Sequence, residues 1–139
     1  KVSDEARKLM DATRESLDRG IAKIKDGARI GDISSAVQTY AEGLGYGVVR
    51  QYVGHGIGFE MHEEPQVPNY GQPGRGPLIR KGMALAIEPM LNIGGWETKQ
   101  LEDGWTVATA DGTLSAHFED TIVITEDGPT VTTRMALTA

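Results

Sequence analysis

The sequence predicts an α+β domain in which two amphipathic helices pack on a largely antiparallel sheet. Apolar residues recur at helical intervals within the first 45 residues, and period-two or β-branched patterns joined by turn residues follow. Helices that precede the strands in this way cover one face of the sheet. The candidate functional groups are expected on the other face.

Length and composition limit the class of protein. The 139 residues have room for a single domain, residues 1–139, and no apolar run approaches the ~20 residues of a membrane span. The net charge is −6 and the basic residues are scattered, so we expect no nucleic-acid partner. The chain has no cysteine, which leaves oxygen and imidazole as metal ligands. The N-terminal segment lacks the apolar core of a signal peptide, and we expect a cytoplasmic protein.

The two helices are predicted from caps and apolar stripes. Ser3 caps the first helix, which should end near Asp26-Gly27. Asp32 is the predicted cap of the second helix, and Gly45 is its predicted C-terminal stop. The apolar stripe of the second helix comprises Ile33, Ala36, Val37, Tyr40, Ala41 and Leu44.

Strands are predicted after the helices, with turns between them. An irregular connection is expected over 64–81, where four prolines and three glycines interrupt any regular pattern. Asp111-Gly112 predicts a tight hairpin turn. The predicted strands cover residues 46–53, 83–87, 105–110 and 115–124, with a last edge strand at 130–134.

Three ionisable residues stand where burial is expected. His55 lies between glycines, Glu88 ends an apolar run, and Glu119 lies beside Phe118 in a strand whose alternation puts His117 on the same face. A buried carboxylate needs a partner, and a divalent cation is an adequate one. One imidazole and two carboxylates suit Mn, Fe, Co or Zn.

Each of these residues also has an ordinary structural explanation. His55 alone is more simply a packed loop histidine, although its glycines would allow a close backbone approach or positive φ. Glu88 alone fits a salt bridge with lysine or arginine as well as it fits a ligand role. Glu119 alone fits an exposed strand position. The metal hypothesis depends on the three together.

Four further residues are candidates for supporting roles. His62, in a loop, could donate a hydrogen bond to a substrate carbonyl or developing oxyanion, or could be a surface histidine. His117 could orient a ligand or pack across strands. Met61 and Trp105 could line an apolar pocket, although core packing is the more frequent role of such residues.

Taken with their neighbours, these residues resemble the type I, or bacterial-type, methionine aminopeptidases. The likeness runs over nearly the whole chain, and His, Glu and Glu stand in the family's order inside long diagnostic strings. The continuation HEEPQVPNYG favours these enzymes over the related proline-directed peptidases and creatinases. The strings that carry the likeness are TRESLDRGIAKIKDGARIGDI, GHGIGFEMHEEPQVPNYG (54–71), GMALAIEPMLNIGG (82–95) and EDGWTVATADGTLSAHFEDT (102–121).

The resemblance implies a hydrolase of the curved-sheet "pita-bread" fold that removes the initiator methionine from nascent polypeptides. It implies two divalent ions that activate water and polarise the scissile carbonyl. His55 and Glu88 would bind one ion and Glu119 would bridge both. Glu88 would also accept a proton, and His62 would hydrogen-bond the peptide and the tetrahedral intermediate. Met61 and Trp105 correspond to positions of the family's methionine pocket.

The chain also departs from the family pattern. Two aspartates that complete the second metal site in the family are not found, and the chain starts where the second half of the fold should start. We therefore expect the C-terminal portion of a catalytic domain, inactive or weakly active alone, that associates with the missing N-terminal half or with itself. Asp120 stands where relatives often carry histidine, and Phe59-Glu60 replaces a segment that often carries arginine.

Two alternative functions stay open at this point. The chain could be a non-catalytic module of the same fold that binds peptides or ribosomal partners. Retention of both candidate histidines and both candidate glutamates argues against this, whereas the missing aspartates argue for it. The chain could also belong to a peptidase of the same fold that cleaves beside proline.

Overall fold

The computed structural model describes residues 1–134, which form two helices followed by ten strands. No helix in this part of the chain is both long and apolar enough to cross a membrane. The helices are α1 (Asp4–Ile21) and α2 (Ile30–Gly43), and the strands are β1 (Gly47–Val48), β2 (Gly54–Ile57), β3 (Glu63–Val67), β4 (Ala84–Ile87), β5 (Met90–Asn92), β6 (Thr98–Gln100), β7 (Val107–Thr109), β8 (Ser115–His117), β9 (Asp120–Thr125) and β10 (Gly128–Val131).

Both predicted helices are present, with differences at their ends. Ser3 caps α1 as predicted, because its Oγ accepts a hydrogen bond from the Ala6 amide at 3.1 Å, but α1 already ends at Ile21. Arg29, not Asp32, is the cap residue of α2. The Asp32 carboxylate instead reaches back from the first turn to the Arg29 amide, at 2.8 Å. Gly45 follows α2 with φ 87°, the left-handed conformation expected at a helix stop.

The described strands form three sheets in which every pairing is antiparallel. The largest has the order β10-β9-β4-β2-β3, and the others are β1-β5-β8 and β6-β7. The predicted α+β class is therefore confirmed. The main core lies between the helices and the five-stranded sheet, and its largest fully buried side chains include Leu17, Ile33, Ile79, Leu85, Ile87, Ile122 and Ile124.

Three strand predictions were wrong in detail. Residues 46–53 form only the short β1, and the glycine-rich stretch after them is itself the strand β2. Part of the predicted irregular connection is β3, which tolerates Pro65 because β3 is an edge strand. The predicted strand 115–124 is divided into β8 and β9, which belong to different sheets. The turn at Asp111-Gly112 closes no hairpin, because the strands on its two sides, β7 and β8, pair with β6 and β5 and not with each other.

The glycines of β2 allow backbones to come close together in the middle of the five-stranded sheet. A Cβ atom at Gly54 would collide with the carbonyl oxygen of Ala86 in β4, and one at Gly56 would collide with the backbone of Glu64 in β3. Neither glycine has positive φ. The glycines could have served a positive φ or a close backbone approach, and the structure shows the close approach.

We predict that Gly54→Ala destabilises the protein, because the new methyl group pushes β2 from β4. The expected loss in the free energy of unfolding is about 1–3 kcal/mol, the cost of overpacking a core. Gly43→Ala is the matched control, since a Cβ there meets nothing within 4 Å. Thermal or urea unfolding measures both, and equal stability of G54A and the wild type would contradict the prediction.

The Asp32 carboxylate predicts a pH dependence of stability. Its oxygens accept from the Arg29 amide at 2.8 Å and the Gly74 amide at 2.7 Å, and these hydrogen bonds lower the pKa of Asp32 from 3.8. Because the folded pKa lies below the unfolded one, the stabilisation is complete above about pH 4 and is lost as the pH falls through the folded pKa.

Asp32→Asn retains one carbonyl oxygen for two donors, and it should cost roughly 1 kcal/mol at pH 7, the usual value of a helix cap. The difference from the wild type should shrink at pH 3. Urea unfolding at both pH values measures it, with the exposed turn variant Asp127→Asn as control. An equal loss at both pH values would be inconsistent with this explanation.

Candidate metal centre

His55, Glu88 and Glu119 come from three separate elements and converge at one place. His55 lies in β2, Glu88 follows β4, and Glu119 lies in the two-residue segment between β8 and β9. One nitrogen or oxygen from each lies within 4.8 Å of the others, which is close enough for a shared metal ion. The sequence prediction that these three residues form a group is consistent with this arrangement.

The ring of His55 is held so that its Nε2 atom faces the carboxylate of Glu88. Its Nδ1 lies 2.9 Å from the carbonyl oxygen of Gly56, and a carbonyl can only accept, so Nδ1 carries the proton of this bond. Nε2 lies 3.4 Å from Oε1 of Glu88, and both side chains are only 13% exposed. With this proton on Nδ1, the neutral form of the ring would present the lone pair of Nε2 toward the carboxylate, and the neutral form is the one that binds a metal.

Glu88 is positioned through its backbone as well as its side chain. Its carbonyl oxygen accepts a hydrogen bond from Nδ2 of Asn69 at 3.3 Å, and its carboxylate lies between His55 and His117, 3.4 Å from Nε2 of each. Among the described residues, the basic side chains within 4 Å of the Glu88 carboxylate are the imidazoles of His55 and His117 and not lysine or arginine. The explanation of Glu88 as the partner of a lysine or arginine is therefore not the one found, and the orienting role of His117 stays a prediction.

The sequence did not point to Asn69. Asn69 is 1% exposed, and its Oδ1 has no hydrogen-bond partner while Nδ2 holds the Glu88 carbonyl. It lies in an irregular stretch rich in proline and glycine, where no periodic pattern indicates which side chains are buried. A polar residue directly after Pro68 gives no local signal of this role.

His62 stands beside His55 but outside the ligand group. The two ring centroids are 4.1 Å apart with an interplanar angle of 40°. The loop before His62 is fixed by Glu63, whose Oε1 accepts from the Glu60 amide at 2.8 Å. The exposed imidazole of His62 therefore lies next to the ring of the candidate ligand His55.

Met61 and Trp105 are both on the surface of the chain. Their exposed fractions are 75% and 87%. A cavity of about 300 Å³ opens beside His117, and neither residue lines it; Val49, Tyr52, Met90 and Val107 form its apolar walls. The predicted role of Met61 and Trp105 in a methionine pocket stays a prediction.

The three groups together fit a divalent cation. Two carboxylates and one imidazole within 4.8 Å concentrate negative charge that a cation would offset. Oxygen and imidazole ligands without thiolates suit Mn, Fe, Co or Zn.

The comparison with known families agrees with metal binding. The sequence matches metallopeptidase family M24 over residues 1–126. This chain belongs to metallopeptidase family M24. The M24 chain is 58% identical over 132 residues to methionine aminopeptidase B of Synechocystis and 54% identical over 132 residues to a methionine aminopeptidase of Clostridium acetobutylicum. Each match covers 95% of this chain, and the matches cover 48% and 53% of those two relatives.

Solved structures confirm the resemblance in fold. The crystal structure of methionine aminopeptidase from Thermotoga maritima superposes with a TM-score of 0.93 at 50% identity, covering 97% of this M24 chain and 54% of the other. An X-Pro aminopeptidase from the same organism gives a TM-score of 0.71 at 19% identity, covering 98% of this chain and 33% of the other, which shows a shared fold alone. The chain spans about half the length of the methionine aminopeptidases it matches.

We predict that Glu63→Ala loosens the loop that carries His62. The substitution removes the acceptor of the Glu60 amide, so amide hydrogen exchange of Glu60 should rise about tenfold, which corresponds to roughly 1 kcal/mol. Glu64→Ala is the matched control, because Glu64 accepts from the Gln66 amide and not from this loop. Unchanged exchange at Glu60 in E63A would show that Glu63 does not hold the loop.

Proposed function

We propose that this chain carries part of the catalytic centre of a metalloaminopeptidase that removes the N-terminal methionine from nascent polypeptides. The observation that carries the proposal is the convergence of His55, Glu88 and Glu119 within 4.8 Å in a member of metallopeptidase family M24. The relatives at 47–58% identity, all named methionine aminopeptidases, support methionine as the residue removed. Cleavage of nascent chains would place the protein in the cytoplasm.

The ligands of one ion would be Nε2 of His55 and one oxygen each of Glu88 and Glu119. Glu119 would be the ligand shared with a second ion, because its side chain is exposed and no hydrogen bond or salt bridge holds it in the described part of the chain. When bound, two divalent ions (Co, Mn, Fe or Zn) supply Lewis-acid activation of the attacking water and of the scissile carbonyl.

The residues around this group would handle the proton and the peptide. Glu88 has a second carboxylate oxygen, 3.4 Å from Nε2 of His117, and it would accept the proton that the attacking water releases. His117 would keep that oxygen oriented. His62, one ring from His55, would donate to the peptide oxygen and stabilise the charge that develops on it.

The remaining parts of the site would come from outside these elements. Met61 and Trp105 present an exposed thioether and indole that would form one wall of the methionine pocket once the site is closed. We propose that the portion of the relatives' length that this chain does not span supplies the other ligands of the second ion. The chain would accordingly pair with that complementary portion, or with a second copy of itself.

The proline-directed alternative has weaker support than the methionine reading. The prolidases and the X-Pro aminopeptidase share the fold at 19–23% identity, a level at which specificity does not follow from the likeness. A peptide-binding role without catalysis does not require the two carboxylates to share one site with His55.

We predict that the chain alone binds Mn²⁺ or Co²⁺ but does not efficiently release methionine from a Met-Ala peptide. Calorimetric titration should show one ion per chain, and His55→Ala or Glu88→Gln should weaken its binding by roughly 100-fold, because each removes a ligand. Glu97→Gln, at an exposed carboxylate outside the group, is the control. Efficient methionine release by the chain alone, or unchanged binding in H55A, would contradict the proposal.

A further inference from the structure

Asp120 is a buried carboxylate that follows the candidate ligand Glu119 directly. It is 3% exposed and accepts four hydrogen bonds. Its Oδ2 accepts from Nη1 of Arg14 at 3.2 Å and from Nε and Nη2 of Arg134 at 2.8 and 2.6 Å, and its Oδ1 accepts from the Thr133 hydroxyl at 2.8 Å. Asp120 is thus fully engaged on the side of the chain that faces α1.

The same arginine also holds the residue on the other side of Glu119. The guanidinium carbon of Arg14 lies over the ring of Phe118, 4.5 Å from its centroid, in a cation–π contact. Phe118 and Asp120 are therefore both tied to α1 by one side chain. The amide of Phe118 also donates to the carbonyl oxygen of Pro89, at 3.3 Å, which anchors the segment between β8 and β9 next to Glu88.

This arrangement determines the direction of the residue between them. In an extended chain, successive side chains point to opposite sides. Because Phe118 and Asp120 are drawn to α1, Glu119 points away from α1 and toward His55 and Glu88. Glu119 is exposed and lies outside the strands β8 and β9, so strand pairing does not fix it.

We propose that Arg14 is a positioning residue of the metal centre, because its guanidinium fixes both chain neighbours of Glu119 and so keeps the Glu119 carboxylate directed at the metal. This inference rests on the proposed function, since it takes Glu119 as a ligand. Arg134 also links Asp120 to α1, because its Nη2 atom donates to Oδ2 of Asp120 and, at 2.5 Å, to Oδ1 of Asp18.

Arg14→Gln tests the proposal without removing every partner of Asp120. Arg134 and Thr133 still satisfy the carboxylate, and Arg14 itself is 42% exposed, so we expect the variant to fold. The dissociation constant for Co²⁺ should rise about 10- to 100-fold, the usual effect of losing a group that orients a ligand. The visible spectrum of bound Co²⁺ should also change, because the carboxylate contribution to its coordination is altered.

The direction of the change in Co²⁺ affinity distinguishes a positioning role of Arg14 from a purely electrostatic one. Loss of a positive charge near a cation site would strengthen Co²⁺ binding by Coulomb's law. Loss of the Arg14 contacts to Phe118 and Asp120 should instead weaken Co²⁺ binding. Arg14→Lys keeps the charge but lacks the planar group that covers Phe118, and it should restore part of the affinity. Phe118→Leu leaves the Arg14–Asp120 pair in place and should weaken binding about two- to fivefold, so it tests the positioning role of Arg14 even if R14Q does not fold.

Arg19→Gln is the matched control. Arg19 lies in the same helix, bonds Glu15 at 2.8 Å and lies 4.2 Å over Tyr40, so R19Q loses the same kinds of contact away from the site. Wild-type Co²⁺ affinity and spectrum in R14Q and F118L would overturn the inference while leaving the proposed function intact. Failure of the wild type to bind Co²⁺ would contradict the proposed metal site, and this inference with it.

Discussion

The close approach of β2 to its neighbours is the constraint on which the rest of the site depends. Gly54 and Gly56 let β2 pack against β4 and β3 at distances that any Cβ would prevent. His55, between these glycines, pairs in register with Ala86, two residues before Glu88. The imidazole and the carboxylate therefore meet because of backbone packing in the sheet, and the ionisable groups do not have to draw the strands together.

This packing brings together negative charges that the described residues do not neutralise. Glu88 and Glu119 bring two carboxylates into one group with His55, and the imidazoles nearby offer at most partial compensation. The arginines close to this region are directed elsewhere, since Arg14 and Arg134 bind Asp120 on the α1 side of the chain. A divalent cation is the counter-charge that fits both the geometry and the family.

Much of the fold and of the ligand group could be predicted from the sequence, because the relevant signals are local. Helical periodicity predicted α1 and α2, and the contact of Phe118 with Arg14 of α1 is consistent with the predicted alternation, which put Phe118 and Glu119 on opposite faces. The division of 115–124 into two sheets could not be predicted, because the alternating pattern continues through the two residues between β8 and β9 and only the partner strands differ. Asn69 and Arg14 were missed for the same reason, because their partners lie 19 and more than 100 residues away.

The most direct test of this account is the anomalous diffraction of crystals of the protein grown with Co²⁺. The account predicts a strong cobalt peak about 2.0–2.2 Å from Nε2 of His55 and from a carboxylate oxygen of Glu88 and of Glu119. A cobalt peak at another position, with the carboxylates of Glu88 and Glu119 paired with basic side chains of the protein, would contradict it.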